Sequence, residues 1–322
     1  MSVPHQDSSP PLMARASDRA LRSWWLGRRQ HFVIAAVAAV VAVIAMRALA
    51  GGVVGVRSAP VIADVLMFFG VFVGVFATLL WIDTRVRTPN DIARIGRGEL
   101  LGIIPQVETS TNNDSVGQIT QSRAGAILEA FGRLYRNAKL HSKNPCPKIV
   151  AVCAHGRREG KQFVAANFAA SCAQHGRRTL LIDADARSQR LTSIADLRAQ
   201  ITSIADNLDH LFAPTSVLLE STAVEELLAA LKAGYEFIVI DTPPMSVAHD
   251  AVLIADHCDE ILYVCGYNRV SRRRAAQCLR ALHNGKNEIL GIVLNGLPRN
   301  HMEYLASDRS YHSYKQHYGE SV

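Results

Sequence analysis

Two long apolar stretches stand near the N-terminus, and beyond residue 148 shorter apolar runs alternate with amphipathic ones. Phe32 to Met46 is apolar for fifteen residues; Arg47 breaks it, and ALAGGVVGV carries it on to Val56. Fifteen residues are short for a bilayer core, which takes about 20, but Arg47 can snorkel to the interface and lengthen the span. Val65 to Ile82 is eighteen residues without a charge. It contains Trp81, a usual interfacial residue, and Gly70-x-x-x-Gly74, a possible helix-packing face. The pattern predicts a two-helix transmembrane hairpin over 32–82, with helices at 32–56 and 61–82. Arg15, Arg19, Arg22, Arg28 and Arg29 precede it, and Arg85, Arg87, Arg94 and Arg97 follow it. The positive-inside bias then places both termini in the cytoplasm. The rival reading is a cleaved signal peptide ending at Ala48-Leu49-Ala50, although the stretch before its apolar run is long for that role.

Residues 1–31 form a cytoplasmic N-terminal segment on this reading, and 83–147 a juxtamembrane segment, linker and helix. Within the latter, LLGIIP reads as extended, 107–122 is a polar linker rich in Asn and Ser, and 124–141 shows one apolar helical face ended by Asn144-Pro145-Cys146-Pro147. Next come apolar strands at Lys148–Cys153, Thr179–Asp183, Leu208–Phe212, Phe237–Asp241, Ile261–Cys265 and Ile289–Leu294. Helices fit at 161–175, 223–233, 250–256 and 270–283. Continuous apolar strands separated by helices predict an α/β fold, a parallel sheet covered by helices on both faces. The repeat TSIAD, at Thr192–Asp196 and Thr202–Asp206, is too brief for a solenoid.

Composition sharpens this picture. Of 322 residues, 49% are hydrophobic and 20% charged, which excludes a disordered or low-complexity chain. The net charge of +7 has a simple source in the arginines flanking the apolar stretches. Arg272-Arg273-Arg274 reads as the solvated start of a helix, so no nucleic-acid partner is expected. The six cysteines form no C-x-x-C pair, which leaves metal and thioredoxin-type readings without a spacing; they read as small buried hydrophobes.

Three strand ends carry chemistry. After the first strand, Gly156-Arg157-Arg158-Glu159-Gly160-Lys161-Gln162 leads into a helix, the place for a loop whose backbone N–H groups cradle phosphates. The match to G-x-x-x-x-G-K-[ST] is partial: Gly160 and Lys161 fit, His155 takes the first glycine position, and Gln162 takes the hydroxyl position. The second strand ends in Asp183-Ala184-Asp185-Ala186-Arg187, at the carboxyl edge where parallel sheets bind ligands. The strand Phe237–Asp241 ends in an aspartate, as a Walker B strand does. Together they predict a nucleotide site of the P-loop type.

The pair LLIDADAR and FIVIDTPP resembles the second and third nucleotide motifs of the bacterial tyrosine kinases, the cytosolic halves of polysaccharide co-polymerases. TPNDIARIGRGELLGIIP, EAFGRLYRNAKL, DAVLIADHCDEILYV and ILGIVLNG resemble further parts of that family. The resemblance implies a P-loop kinase-like domain over 148–300 and a tyrosine-rich tail over 301–322. It implies ATP and Mg²⁺ as cofactors, with Gly156, Glu159, Gly160, Lys161, Gln162 and Arg187 around ATP. Lys161 would reach the outer phosphates, and Asp241 and Asp183 would hold Mg²⁺. Asp183 would also act as base, supported by Asp185, and Tyr304, Tyr311, Tyr314 and Tyr318 would be phosphoacceptors. From residues alone, Tyr311, Tyr314 and Tyr318 are spaced equally well as one face of a docking helix. The implied setting is the bacterial inner membrane, multi-pass, in exopolysaccharide or capsule biosynthesis and export. The implied partners are polymerase and export proteins, a separate periplasmic chain-length protein (no large external domain lies between the apolar stretches) and further copies of this chain.

The departures from the family set the competing expectations. The family's loop reads P-G-E-G-K-S-T; here Arg157-Arg158 replace Pro-Gly, and Gln162-Phe163 replace both hydroxyls. The family's oligomer motif is Glu with Arg three and six residues on, whereas from Glu129 the arginines Arg133 and Arg136 stand one residue later. One helical residue is about 100° of rotation. These features favour a regulatory module with weak or no kinase activity over an active autokinase. A positioning ATPase of the MinD/ParA kind ranks below both, since that family has a lysine where Gly156 stands.

Overall fold

The computed structural model describes residues 33–41, 61–82, 84–107, 125–142, 148–184, 199–213, 215–219, 221–246, 250–283, 288–298 and 301. The chain divides into two compact units, Met1–Thr84 and Arg85–Val322. In the first, residues 33–41 are helical and α1 spans Val61–Ile82. Along α1, Phe68, Phe72 and Phe76 stack at one-turn spacing, with ring centroids 6.2 and 5.8 Å apart.

Among the described residues no helix is long and apolar enough to cross a membrane. Of the expected hairpin, residues 42–60 lie outside the described residues. The expectation of a multi-pass inner-membrane protein with both termini in the cytoplasm is overturned.

The second unit is a layered α/β structure. Among the described residues, eight strands form one sheet in the order β1-β8-β7-β2-β6-β3-β5-β4. These are β1 (Leu100–Pro105), β2 (Lys148–Ala154), β3 (Thr179–Asp183), β4 (Thr202–Ala205), β5 (Leu208–Phe212), β6 (Phe237–Asp241), β7 (Glu260–Gly266) and β8 (Glu288–Leu297). All neighbours pair in parallel except β4, which pairs antiparallel with β5. The helices are α2 (Pro89–Ala93), α3 (Gly125–His141), α4 (Lys161–Gln174), α5 (Thr215–Leu218), α6 (Ser221–Lys232), α7 (Asp250–Ala255) and α8 (Arg272–His283).

Strand alternation sorts the core into two layers, as period-two geometry requires. On β2, Ile149, Ala151 and Cys153 join the layer under α6, α7 and α8. Val150, Val152 and Ala154 join the layer under α3 and α4. Both faces are covered, which is why the strands read as unbroken apolar runs. Alanines dominate the buried face of α4, where Val164, Ala165, Ala166, Ala169 and Cys172 let its backbone approach the sheet. The five cysteines among the described residues are free and buried, in keeping with their reading as small hydrophobes. Burial pushes the Cys153 thiol up to about 11, against a hydrogen bond with Thr242 that pulls it down.

Two pieces were not expected as part of this sheet. LLGIIP becomes the edge strand β1, parallel to β8, and β4 takes up most of the second TSIAD copy. Ahead of β1, Thr88 and Asp91 form a capping box at α2. Asp91 also accepts from Arg272 at the start of α8, 3.0 Å away, which fastens this segment to the sheet's carboxyl end.

Candidate functional site

The site grows from the carboxyl ends of β2, β3 and β6. After β2 the chain makes a 3₁₀ turn, Arg157–Glu159, and then enters α4 at Lys161. Gly160 bridges the two with φ +77, the left-handed region that only glycine adopts without strain. A Cβ at Gly160 would also overlap Nδ2 of Asn295, which donates to the Glu159 carbonyl at 2.9 Å. Glycine is thus required twice at this position.

Glu159 is the inner post of the loop. Its side chain is 3% exposed; Oε1 accepts from the Gly156 N–H at 2.7 Å and Oε2 from the Gly266 N–H at 3.2 Å. Gly266 has no room for a side chain, since a Cβ there would stand 2.8 Å from the Glu159 Cα. Burial lifts the Glu159 carboxyl to about 7, and the two N–H donors oppose that rise. A carboxyl whose pKa rises from 4.5 to about 7 on folding costs nothing below 4.5, while above 7 its ionisation costs on the order of 3 kcal/mol. Stability therefore falls through that window as pH rises. Glu159→Gln is expected to flatten the curve, read by urea unfolding at pH 5 and pH 8; an unchanged slope in the variant would locate the titration elsewhere.

The reactive side chains converge on the α4 face of the sheet. Asp183 and Asp241 are register partners on adjacent strands, so their side chains share a face, 5% and 2% exposed. Lys161, 4% exposed, places its ammonium on Oδ1 of Asp241 in a buried ion pair. From the next residue of α4, the Gln162 amide donates to Oδ2 of Asp183 at 3.5 Å, a long contact. The strand ends are locked by hydrogen bonds: the Ala184 N–H donates to the Asp241 carbonyl at 3.0 Å, and the Thr242 side-chain hydroxyl donates to the Val152 carbonyl at 2.9 Å. Hence Lys161, Gln162, Asp183 and Asp241 come together beside the loop formed by Gly156, Glu159 and Gly160. Asp185, Arg187, Tyr304, Tyr311, Tyr314 and Tyr318 lie outside the described residues.

Two surfaces flank this centre. His155, at the first position of the loop, lies 3.5 Å by Nδ1 from the Cys278 thiol, and burial followed by the Arg274 charge lowers its pKa. Arg157 and Arg158 are exposed. Sequence reasoning placed His155 at the first loop position but missed Asn295 and Gly266 as parts of the loop. Both act from strands far apart from the loop in sequence, so no local pattern marks them.

No family model matches the chain. Tyrosine-protein kinase CpsD of Streptococcus pneumoniae serotype 4 is 28% identical over 173 residues, 47% of this chain and 76% of that protein. Tyrosine-protein kinase YwqD of Bacillus subtilis is 29% identical over 199 residues, 55% and 84% of the two chains. The homologues of this chain are bacterial tyrosine-protein kinases. The succinoglycan biosynthesis transport protein ExoP of Rhizobium meliloti is 26% identical over 230 residues, 61% of this chain but 29% of that protein. The chain thus spans most of the short relatives and under a third of the long one. Among solved structures, the kinase domain of Escherichia coli tyrosine kinase ETK superposes with a TM-score of 0.57 at 19% identity, covering 66% of this chain and 96% of that one. The BceF tyrosine kinase domain does so at 0.53 and 21%, covering 66% and 100%. At such identities the likeness shows the fold. It agrees with the expected parallel α/β layering.

Proposed function

We propose that this chain is a nucleotide-binding regulatory component of exopolysaccharide or capsule biosynthesis and export, built on a tyrosine-kinase site whose own transfer activity is weak or absent. The observation that carries it is Gln162. It stands in the first turn of α4, where the resembling family has a hydroxyl, and its amide turns toward Asp183. The pathway rests on relatives named for tyrosine-protein kinase activity and for succinoglycan transport. The partners on this reading are polymerase and export proteins, a separate chain-length protein and further copies of the chain. Arg133 of the shifted oligomer motif is engaged within its own helix, 3.1 Å from Glu129.

The donor set fits a magnesium nucleotide. Asp183 and Asp241 offer hard carboxylate oxygens and Gln162 an amide oxygen, the ligand type Mg²⁺ takes. When bound, Mg²⁺ neutralises charge on the phosphate being transferred. Asp241 would release Lys161 to the outer phosphates. Gly160 and the start of α4 would present backbone N–H groups to them. Asp183 would accept the proton of an incoming tyrosine hydroxyl, with Asp185 and Arg187 in support, and the acceptors would be Tyr304, Tyr311, Tyr314 and Tyr318. The convergence of Lys161, Asp183 and Asp241 favours a second reading, an active ATP-dependent autokinase.

Intact-mass spectrometry separates the two. The full chain, purified without any partner kinase, is incubated with ATP and Mg²⁺ beside a Lys161→Met control. The regulatory reading expects no added phosphate in either. Mass steps of one phosphate each, mapped to the tail tyrosines and absent from the control, would establish the autokinase instead.

A further inference from the structure

We propose that Phe212 is the seat for the aromatic ring of an incoming tyrosine, and so a specificity-determining residue of this site. The inference rests on the kinase-like reading of the site, but concerns how an acceptor is held rather than how fast phosphate moves.

Register supplies the first support. Phe212 is the strand partner of Asp183 across the parallel pair β3–β5, so the two side chains leave the sheet on one face, side by side, at the carboxyl edge. That is the face of α4 and of Lys161. Phe212 is 41% exposed, whereas Asp183 next to it is 5% exposed. A single exposed Phe on a surface means little. Here it is the aromatic neighbour of the carboxylate at the centre of the site.

The second support is what backs the ring. His210, two residues earlier on the same face, is 2% exposed and meets Phe212 edge-to-face, centroids 4.3 Å apart and planes at 89°. This is the arrangement aromatic pairs prefer. The Nε2 of His210 is buried without a hydrogen-bond partner, so no polar contact of that atom accounts for the imidazole's place. Burial lowers the His210 pKa, with Asp183 opposing, which favours a neutral imidazole under the phenyl ring. Phe212 is thereby held from beneath with its outer surface open.

Sheet order decides which ring fits. The loop follows β2, and β5 lies three strands away through β6 and β3. At about 4.8 Å per strand, β5 is roughly 14 Å from β2 but one strand from Asp183. A phosphate held at the loop lies on one side of Asp183, and Phe212 lies on the other. A phenol stacked on Phe212 directs its hydroxyl toward Asp183.

The test is a coupling measurement. The full chain carries Tyr304, Tyr311, Tyr314 and Tyr318→Ala so that its own tail does not compete. The probe is a fluorescent peptide copying residues 307–322, in its tyrosine form and with its tyrosines replaced by alanine. Phe212→Ala is expected to weaken the tyrosine peptide about three- to tenfold. Removing the peptide's tyrosines should weaken it similarly, and both changes together should weaken it no further, because they delete the same contact. Phe212→Tyr should restore binding, whereas a merely structural role would give equal losses for both peptides. Losses that multiply, an unaffected tyrosine peptide, or no detectable peptide binding in the parent would each overturn the proposal. ADP affinity, measured on the same samples, separates a nucleobase from a tyrosine: a selective loss of ADP binding in Phe212→Ala would give the ring to the nucleotide and also overturn it. Failure of the regulatory reading shows elsewhere, in phosphate gained by the native chain.

Discussion

Lys161→Met is expected to cost this protein about 3–5 kcal/mol of stability and to lower nucleotide affinity at least a hundredfold. Lys161 and Asp241 are an ion pair with both side chains almost fully buried. Removing one member of such a pair strands the other charge in a medium that solvates it poorly, which is where a loss of that size originates. The methionine keeps the volume and apolar stem, so packing under α4 stays filled and the loss reports the charge. Urea unfolding of the native chain, Lys161→Met, Asp241→Asn and the double variant checks this. The double variant should recover much of the loss of either single one, since it removes both charges. Additive losses would show that the pair does not hold the fold. Nucleotide affinity should not recover in the double variant, because the cation that reaches phosphate is gone in both.

Gln162→Thr is expected to raise the rate of phosphate transfer to the tail by about a hundredfold. A hydroxyl on Mg²⁺ is compact and sits in the first turn of the helix, whereas the Gln162 amide reaches to Asp183. A few kcal/mol of transition-state stabilisation corresponds to a factor of about a hundred or more. Threonine at this helix start costs only a few tenths of a kcal/mol in propensity. The initial rate of phosphate gain, read by intact mass, is the measurement. A gain below about threefold would shift the cause of weak transfer to Arg157 and Arg158, which stand in the loop where the resembling family has Pro-Gly.

Both expectations start from residues that stood out in the sequence, yet neither could be argued from it alone. LLIDADAR and FIVIDTPP mark two strands by unbroken apolar runs, and the runs end in aspartates because polar residues begin where a strand leaves the core. Leu100–Pro105 was harder. LLGIIP reads as extended, but its pairing with β8 joins residues about 190 apart in sequence, and no local pattern carries that. The edge strand β4 was hidden for another reason: its burial is low and its alternation weak, so it looks like a loop. The membrane expectation came from counting apolar residues, and among the described residues no helix is long and apolar enough to cross a membrane.

The sequence by itself determined the layering of the sheet, the strand ends that carry Asp183 and Asp241, and the glycine-lysine step into α4. Apolar periodicity and turn chemistry are local, and local order is written in neighbouring residues. The tertiary structure decided what those residues meet. Strand order set Asp183 beside Asp241 on one side and Phe212 on the other, and β8 brought Asn295 across Gly160. It also closed the Lys161–Asp241 pair over a gap of 80 residues. Such contacts follow from chain crossing and burial, where the cost of an unpaired charge or an added methyl depends on neighbours that the local sequence does not name.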